Sequence, residues 1–313
     1  MLGLPSRGLH RSVKNHNVDF AAIYDWIEAS VLFLGEDVAG ADIVDLLREN
    51  EIYRDQDFAW DLVNIVFAAI RSRVRKLGEG YPIRVSGGTR VVGVKDWREF
   101  PAYAFCLALS LSSVYPTWAR DFGQDYTVQG ELFEALTAES VSRSFQDWTV
   151  HPTGWTKSNP SQLGKIVEDL AARLGEATGE LKRWTAASAK EAGLDLLCFR
   201  PFPDGRVGIP IYLLQCASGA DWKTKLKTPD LRIWTKIITF AADPKKAFSM
   251  PYAIEEEEFI QRTNVVDGLL LDRHRLLAPG LGEKAWVSGE LAAKLVDWVS
   301  ERISTLPKVT ALS

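Results

Sequence analysis

Apolar residues recur at helical spacing from Phe20 to Leu34, and the pattern predicts a helix there. A shorter helix follows at Ala41 to Leu47. A longer one runs from about Asp57 to Leu77, with Phe58, Leu62, Ile65, Val66, Ala69 and Ile70 on one face. Arg71, Arg73, Arg75 and Lys76 crowd its last turns, where cations suit the negative end of the helix dipole, and Gly78 and Gly80 stop it. Between Tyr81 and Val94 two β-rich runs flank Ser86-Gly87-Gly88, which predicts a hairpin at 81–94. Three helices followed by a hairpin admit a winged helix, a DNA-binding module, although the long third helix suits core packing too. The aromatic-rich stretch Arg98 to Tyr126 is expected to dock the two halves of the chain.

From Thr127 the periodicity changes. A helix over Val128 to Phe145 leads to a short strand at Trp148 to Thr153, a Ser/Asn/Pro-rich turn, and a helix near Ser161 to Leu174. Two strands, Leu194 to Arg200 and Ile211 to Cys216, flank the turn signal Pro201-Phe202-Pro203-Asp204-Gly205. A basic helical stretch to Phe240 comes next, then a strand near Ala247 to Ile254 and an acidic run, Glu255 to Glu258, expected as a solvated loop. A strand over Gly268 to Leu277, with the His274 tip exposed, precedes an amphipathic helix at Ser288 to Ile303. Strands mixed with helices after an all-helical start predict two domains: residues 1–125, mainly helical, and 126–313, α/β.

Composition narrows the class. The 313 residues are 46% apolar and 25% charged, the balance of a chain that buries a core. No apolar run approaches the roughly 20 residues of a membrane span; the longest, Ala102 to Val114, is broken by Ser110, Ser112 and Ser113. With no signal-like apolar stretch at the N-terminus, a cytoplasmic location is expected. The formal charge is −4, so no global field announces a polyanion. Locally, eight basic residues between Arg71 and Arg98 face only Glu79 and Asp96, and seven between Trp222 and Lys246 face only Asp230 and Asp243. Such stretches suit a phosphate-handling groove or two solvated faces. Three cysteines in apolar runs read as buried thiols, and four scattered histidines offer no zinc spacing.

The chemistry concentrates around EAGLDLLCFRPFPDGRVGIPIYLLQCASGADWKTK. Asp195 interrupts an apolar strand and Gln215 ends the next one. Paired through the Pro-Asp-Gly turn, the two side chains come to one end and one face of the sheet. Burying such groups is costly unless something binds them. A divalent metal would offset the cost, and carboxylate and amide oxygens are ligands that Mg²⁺ prefers. Asp195 could instead cap a turn or pair with Lys190, Gln215 could satisfy an edge strand, and Glu134 could be a surface residue with Glu131 in its place. Trp222 and Trp234 read as core.

The Gly-x-Asp strand, the turn and the strand ending in Gln-Cys resemble the Mrr-like branch of the PD-(D/E)xK restriction-endonuclease superfamily. Gly130-Glu131-Leu132-Phe133-Glu134 resembles that branch's first-helix signature, and the similarity spans about Thr127 to Ala278. The resemblance implies an α/β restriction-endonuclease-like core, a central mixed sheet flanked by helices, preceded by the mainly helical domain. It implies a Mg²⁺-dependent (or Mn²⁺-dependent) DNA nuclease of restriction, phage defence or repair, with Glu134, Asp195 and Gln215 facing the metal. The family's lysine is replaced by Ala217, which leaves Lys223 first, and Lys225 second, to supply the ammonium that activates water. DNA phosphates would meet Arg71, Arg73, Arg75, Arg84, Arg90 and Lys227, and the protein would act as a homodimer or as a partner subunit in a defence system. The alternative is a catalytically inactive nuclease-fold protein that binds nucleic acid or scaffolds a complex, with Ala217 marking the lost chemistry.

Overall fold

The first helix, α1 (Phe20–Leu34), starts where Asp19 accepts a hydrogen bond from the Ala21 amide and stops at Gly35, whose φ of 66° reverses the chain. It belongs to a computed structural model that describes residues 1–9, 18–53, 55–121, 126–153, 163–184 and 193–308. The chain forms two compact units, Met1–Gln124 with Leu277–Ser313, and Asp125–Leu276. The first unit thus takes in the last segment, from Leu277, which the sequence groups with the α/β part.

In the first unit, β1 (Val38–Ala39), α2 (Gly40–Glu49) and α3 (Gln56–Leu77) follow α1. The hairpin β2 (Ile83–Ser86) and β3 (Arg90–Gly93) turns on Gly87 and Gly88, both at positive φ. The three strands form an antiparallel sheet in the order β1-β3-β2. Next come α4 (Pro101–Val114) and α5 (Pro116–Asp121), and the unit is completed by α13 (Gly289–Ile303), which packs on α4. Helix α4 is buried nearly all round. Helix α4, the middle of the aromatic-rich stretch, is therefore part of the core of this unit.

That core holds one ionic cluster. Glu28 of α1 and Arg73 of α3 are both fully enclosed and form an ion pair. Tyr81 Oη donates to Glu28 Oε1 at 2.6 Å, Tyr103 Oη donates to Glu28 Oε2, and the guanidinium lies 4.9 Å from the centre of the Tyr24 ring. Burial is the largest single influence and favours the neutral guanidine, but Glu28, Tyr103, Tyr81 and Asp25 together outweigh it and hold the Arg73 pKa well above the ordinary value. Arg73 is thus spoken for inside the protein, which corrects its expected role as a phosphate contact.

The second unit opens with α6 (Tyr126–Ser144) and β4 (Thr149–Pro152), then α7 (Leu163–Leu174), β5 (Ala177–Thr178) and α8 (Leu181–Trp184). The Ser/Asn/Pro-rich turn, Ser161 and Lys190 lie outside the described residues. Strands β6 (Leu196–Phe199) and β7 (Ile211–Cys216) lead to α9 (Trp222–Lys225), α10 (Leu231–Ile237), β8 (Ile238–Thr239) and β9 (Lys245–Ser249). The unit closes with α11 (Glu256–Val266), β10 (Gly268–Leu271) and α12 (Arg273–Leu276). The acidic run forms the first turn of α11, where carboxylates suit the helix dipole, not a loop. The segment after Leu271 turns into a helix, so His274 is not a strand residue, and its side chain is largely covered.

Five strands make a mixed sheet in the order β10-β9-β7-β6-β4. β10, β9 and β7 are parallel neighbours, whereas β6 is antiparallel to β7 and β4 to β6. Alternation along the strands sends Leu197, Phe199, Ile211 and Leu213 to one face, against α7 and α10. Leu196, Cys198, Leu214 and Ala247 point to the other, against Val141 of α6. The sheet is therefore covered by helices on both faces, which is why its central strands read as unbroken apolar runs. Trp222 and Trp234 are buried, as expected. Among the described residues no helix is long and apolar enough to cross a membrane.

Candidate active site

Register brings the two polar interruptions of the central hairpin together. Leu196 pairs with Leu214, so the positions one step beyond, Asp195 and Gln215, face each other at the same end of the sheet. Gln215 Nε2 donates to Asp195 Oδ2 at 2.5 Å, and the Cys216 backbone N–H donates to the same oxygen at 2.6 Å. Both side chains are more than nine-tenths buried. Gly193, the glycine of Gly-x-Asp, sits at a φ of 70°, where a Cβ would stand 2.7 Å from Thr228 Cβ and 3.1 Å from Gln215 Oε1. Glycine is needed there for the backbone angle and for the close approach of the glutamine amide.

Asp195 and Gln215 line a cavity of about 540 Å³. Glu134 of α6 reaches it from the opposite side of the sheet, and Gly130, one turn earlier, leaves the helix wall open to it. Glu131 lines it as well. The fields of the two acids overlap: burial first, then Asp195 and Glu134, push the Cys216 thiol well above its ordinary range. Cys216 is half-buried, while Cys106 and Cys198 are buried, as expected of thiols in apolar runs.

The two candidate lysines part company. Helix α9 is a single turn, and residues two apart point about 200° away from each other. Lys225 lines the cavity, with its Nζ 3.7 Å from Asp221 Oδ1. Lys223 points the other way, to Glu258 Oε1 at 2.8 Å, with its ammonium 5.3 Å from the centre of the Trp222 ring. The side chain preferred for water activation is thus not at the cavity, and its alternative is. At Ala217 the space of a longer side chain is taken by an apolar cluster with Trp222, Leu226 and Phe248.

Pattern reading missed other parts of this wall. Gln129 Nε2 donates to Ser218 Oγ at 3.1 Å and to Ser218 O at 3.3 Å, tying α6 to the loop after β7. Asp221 adds a further carboxylate. Of the remaining expected contacts, Arg71, Arg75, Arg84, Arg90 and Lys227 are exposed.

The donor set suits a hard cation. Glu134 and Asp195 supply carboxylate oxygens and Gln215 an amide oxygen, and Mg²⁺ is commonly held by one or two carboxylates with water completing its shell. Among the described residues no three His, Cys, Asp or Glu side chains converge as a ready-made ligand group. Comparison of the chain with protein-family models, with curated proteins and with solved structures finds no match.

Proposed function

We propose that the second unit is a metal-dependent nuclease that hydrolyses DNA phosphodiester bonds, built on a restriction-endonuclease-like core. The observation that carries this reading is the meeting of Glu134, Asp195, Gln215 and Lys225 on one cavity. The order α6, β4, β6, β7, α9–α10, β9, with an antiparallel hairpin running on to a parallel strand, supports it because it is the order the resemblance implies.

In this reading Glu134, Asp195 and Gln215 hold Mg²⁺ or Mn²⁺, which when bound polarises the phosphate and lowers the pKa of the attacking water. Gln215 and the Cys216 amide both donate to one oxygen of Asp195 and fix the direction of its carboxylate. Lys225 orients the water and counters charge developing on phosphorus. In the first unit, the sequence α1-β1-α2-α3-β2-β3 with sheet order β1-β3-β2 supports a winged-helix reading, with Arg71, Arg75, Arg84 and Arg90 as phosphate contacts. A role in restriction, phage defence or repair follows from the resemblance alone.

A non-catalytic relative of the same fold is the second reading. It is favoured by Ala217, which stands where the family carries lysine, and by the Asp221 carboxylate beside Lys225. Incubation of plasmid and linear duplex with the protein in Mg²⁺ or Mn²⁺ separates the two. Cleavage that Asp195→Ala abolishes supports the nuclease. Salt-sensitive binding with no cleavage in either metal removes it in favour of the second reading.

A further inference from the structure

Helix α6 carries more than Glu134 toward the sheet. Thr137 lies three residues on, hence on the same side of the helix, and is fully buried. Its Oγ1 is 3.1 Å from Ser249 Oγ, equally buried at the end of β9. Register sets Ser249 beside Cys216 of β7, and the Cys216 thiol lies close enough to both hydroxyls for them to favour its charged form. Three small polar groups from α6, β7 and β9 thus satisfy one another next to an apolar wall that includes Val141, Leu214 and Ala247.

Packing alone does not call for this arrangement. Apolar groups of the same shape would fill the volume at little or no loss of stability, and with no hydroxyls to desolvate. What they would lack is direction. A hydrogen-bonded cluster tolerates one rotation and one height of α6 over the strands, whereas a greasy contact lets the helix roll and slide. The turn it pins is the one that presents Glu134. The same cluster grips Cys216, whose backbone N–H donates to Asp195 and whose neighbour is Gln215.

We propose that Thr137 is a positioning residue: through Ser249 and Cys216 it locks the turn of α6 that aims Glu134 at the ion shared with Asp195 and Gln215. The inference rests on the nuclease reading and names a residue that pattern analysis of the chain passes over. Outer-layer partners of metal ligands are commonly worth about 10- to 100-fold in affinity or activity.

Thr137→Val keeps the shape and removes the hydroxyl; Thr137→Ser keeps the hydroxyl. Mn²⁺ affinity is measured by calorimetry on the full chain without nucleic acid, alongside kcat and KM on linear duplex and the thermal midpoint. The expected result for Thr137→Val is Mn²⁺ binding weakened about tenfold or more and kcat lowered with it, KM for DNA unchanged, and both restored in Thr137→Ser. A lowered midpoint with unchanged Mn²⁺ affinity and kcat makes Thr137 an ordinary core residue and overturns the proposal. If Thr137→Val does not fold, Ser249→Ala cuts the same bond from the strand side and carries the same expectations. A wild-type chain that neither binds Mn²⁺ nor cuts DNA overturns the nuclease reading and this proposal together, a pattern distinct from failure of the variant alone.

Discussion

Gln215 donates its side-chain amide to Asp195 across the β6–β7 register, at 2.5 Å. An aspartate buried at the end of an apolar hairpin would be driven toward its neutral form by desolvation. Here a side-chain amide and a backbone amide point at one of its oxygens and favour the charged form. The carboxylate is held this way in the wall of a cavity that Glu134 also lines.

The glycine before this aspartate is the tightest constraint on the arrangement. Gly193→Ala forces a left-handed φ on a side-chain-bearing residue and pushes a methyl group to 2.7 Å from Thr228 Cβ and 3.1 Å from Gln215 Oε1. A destabilisation of about 1–3 kcal/mol is expected, together with a displaced Gln215 amide. Urea unfolding measures the first. Metal-dependent cleavage at equal folded fraction measures the second, and activity equal to wild type there would separate Gly193 from the site.

The two lysines of α9 make opposite predictions. Lys225→Ala is expected to lower kcat about 10²-fold or more with little change in stability, because its ammonium borders the cavity. Lys223→Ala should leave kcat near wild type. Its effect is on stability and its pH dependence, through Glu258. Burial raises that carboxyl, but hydrogen bonds from Lys223 and Arg262 outweigh it and hold the pKa below the ordinary 4.5. A group depressed on folding contributes stability above its unfolded pKa and loses it as pH falls through the folded one. The gap between wild type and Lys223→Ala should therefore be present at neutral pH and close as pH falls below the ordinary 4.5 and through the depressed folded value. A kcat loss in Lys223→Ala alone would reverse the assignment.

What could be read from the chain follows from how local each signal is. Asp195 and Gln215 stand out because a polar side chain in an apolar strand is visible against its neighbours, and a short hairpin fixes their register. The α3 and hairpin ranges are legible for the same reason. Lys225 and Lys223 are not separable by pattern, since a one-turn helix has no periodicity to give its phase. Arg73 sits in a row of surface cations, and its partner Glu28 lies 45 residues away, so nothing nearby marks it as internal. The return of α13 to the first unit is hidden for a related reason. Helix α4 is apolar on every side and does not say which face awaits a partner.

Glu28 and Arg73 carry the main stability prediction. Glu28→Gln leaves a guanidinium buried without its counter-charge, and such a break commonly costs about 3–5 kcal/mol. The amide keeps one acceptor oxygen and turns the other into a donor, so one of Tyr81 and Tyr103 loses its acceptor at the same time. Arg73→Met in the same chain removes the stranded charge and should recover part of the loss. Chemical denaturation of the two single variants and the double variant tests this, and two losses that simply add would show that the pair is not coupled.

The corrected basic surface can be tested without catalysis. On the β2–β3 hairpin Ser86 pairs with Arg90, and Arg84 lies two residues before Ser86, so Arg84 and Arg90 share one sheet face. Both are exposed, as are Arg71 and Arg75 on α3, and among the described residues none of the four has an ion-pair partner. A cation already paired within the protein gains little from a phosphate, whereas an unpaired one releases a condensed counterion from DNA. If these arginines meet the backbone, Arg84→Ala and Arg90→Ala should each weaken binding whatever the DNA sequence and reduce the slope of log K against log salt by about 1. Arg73→Ala should act instead by destabilising the fold. Fluorescence anisotropy of a labelled duplex across a salt series reads the slopes, and slopes equal to wild type for both hairpin variants would remove this surface from DNA binding.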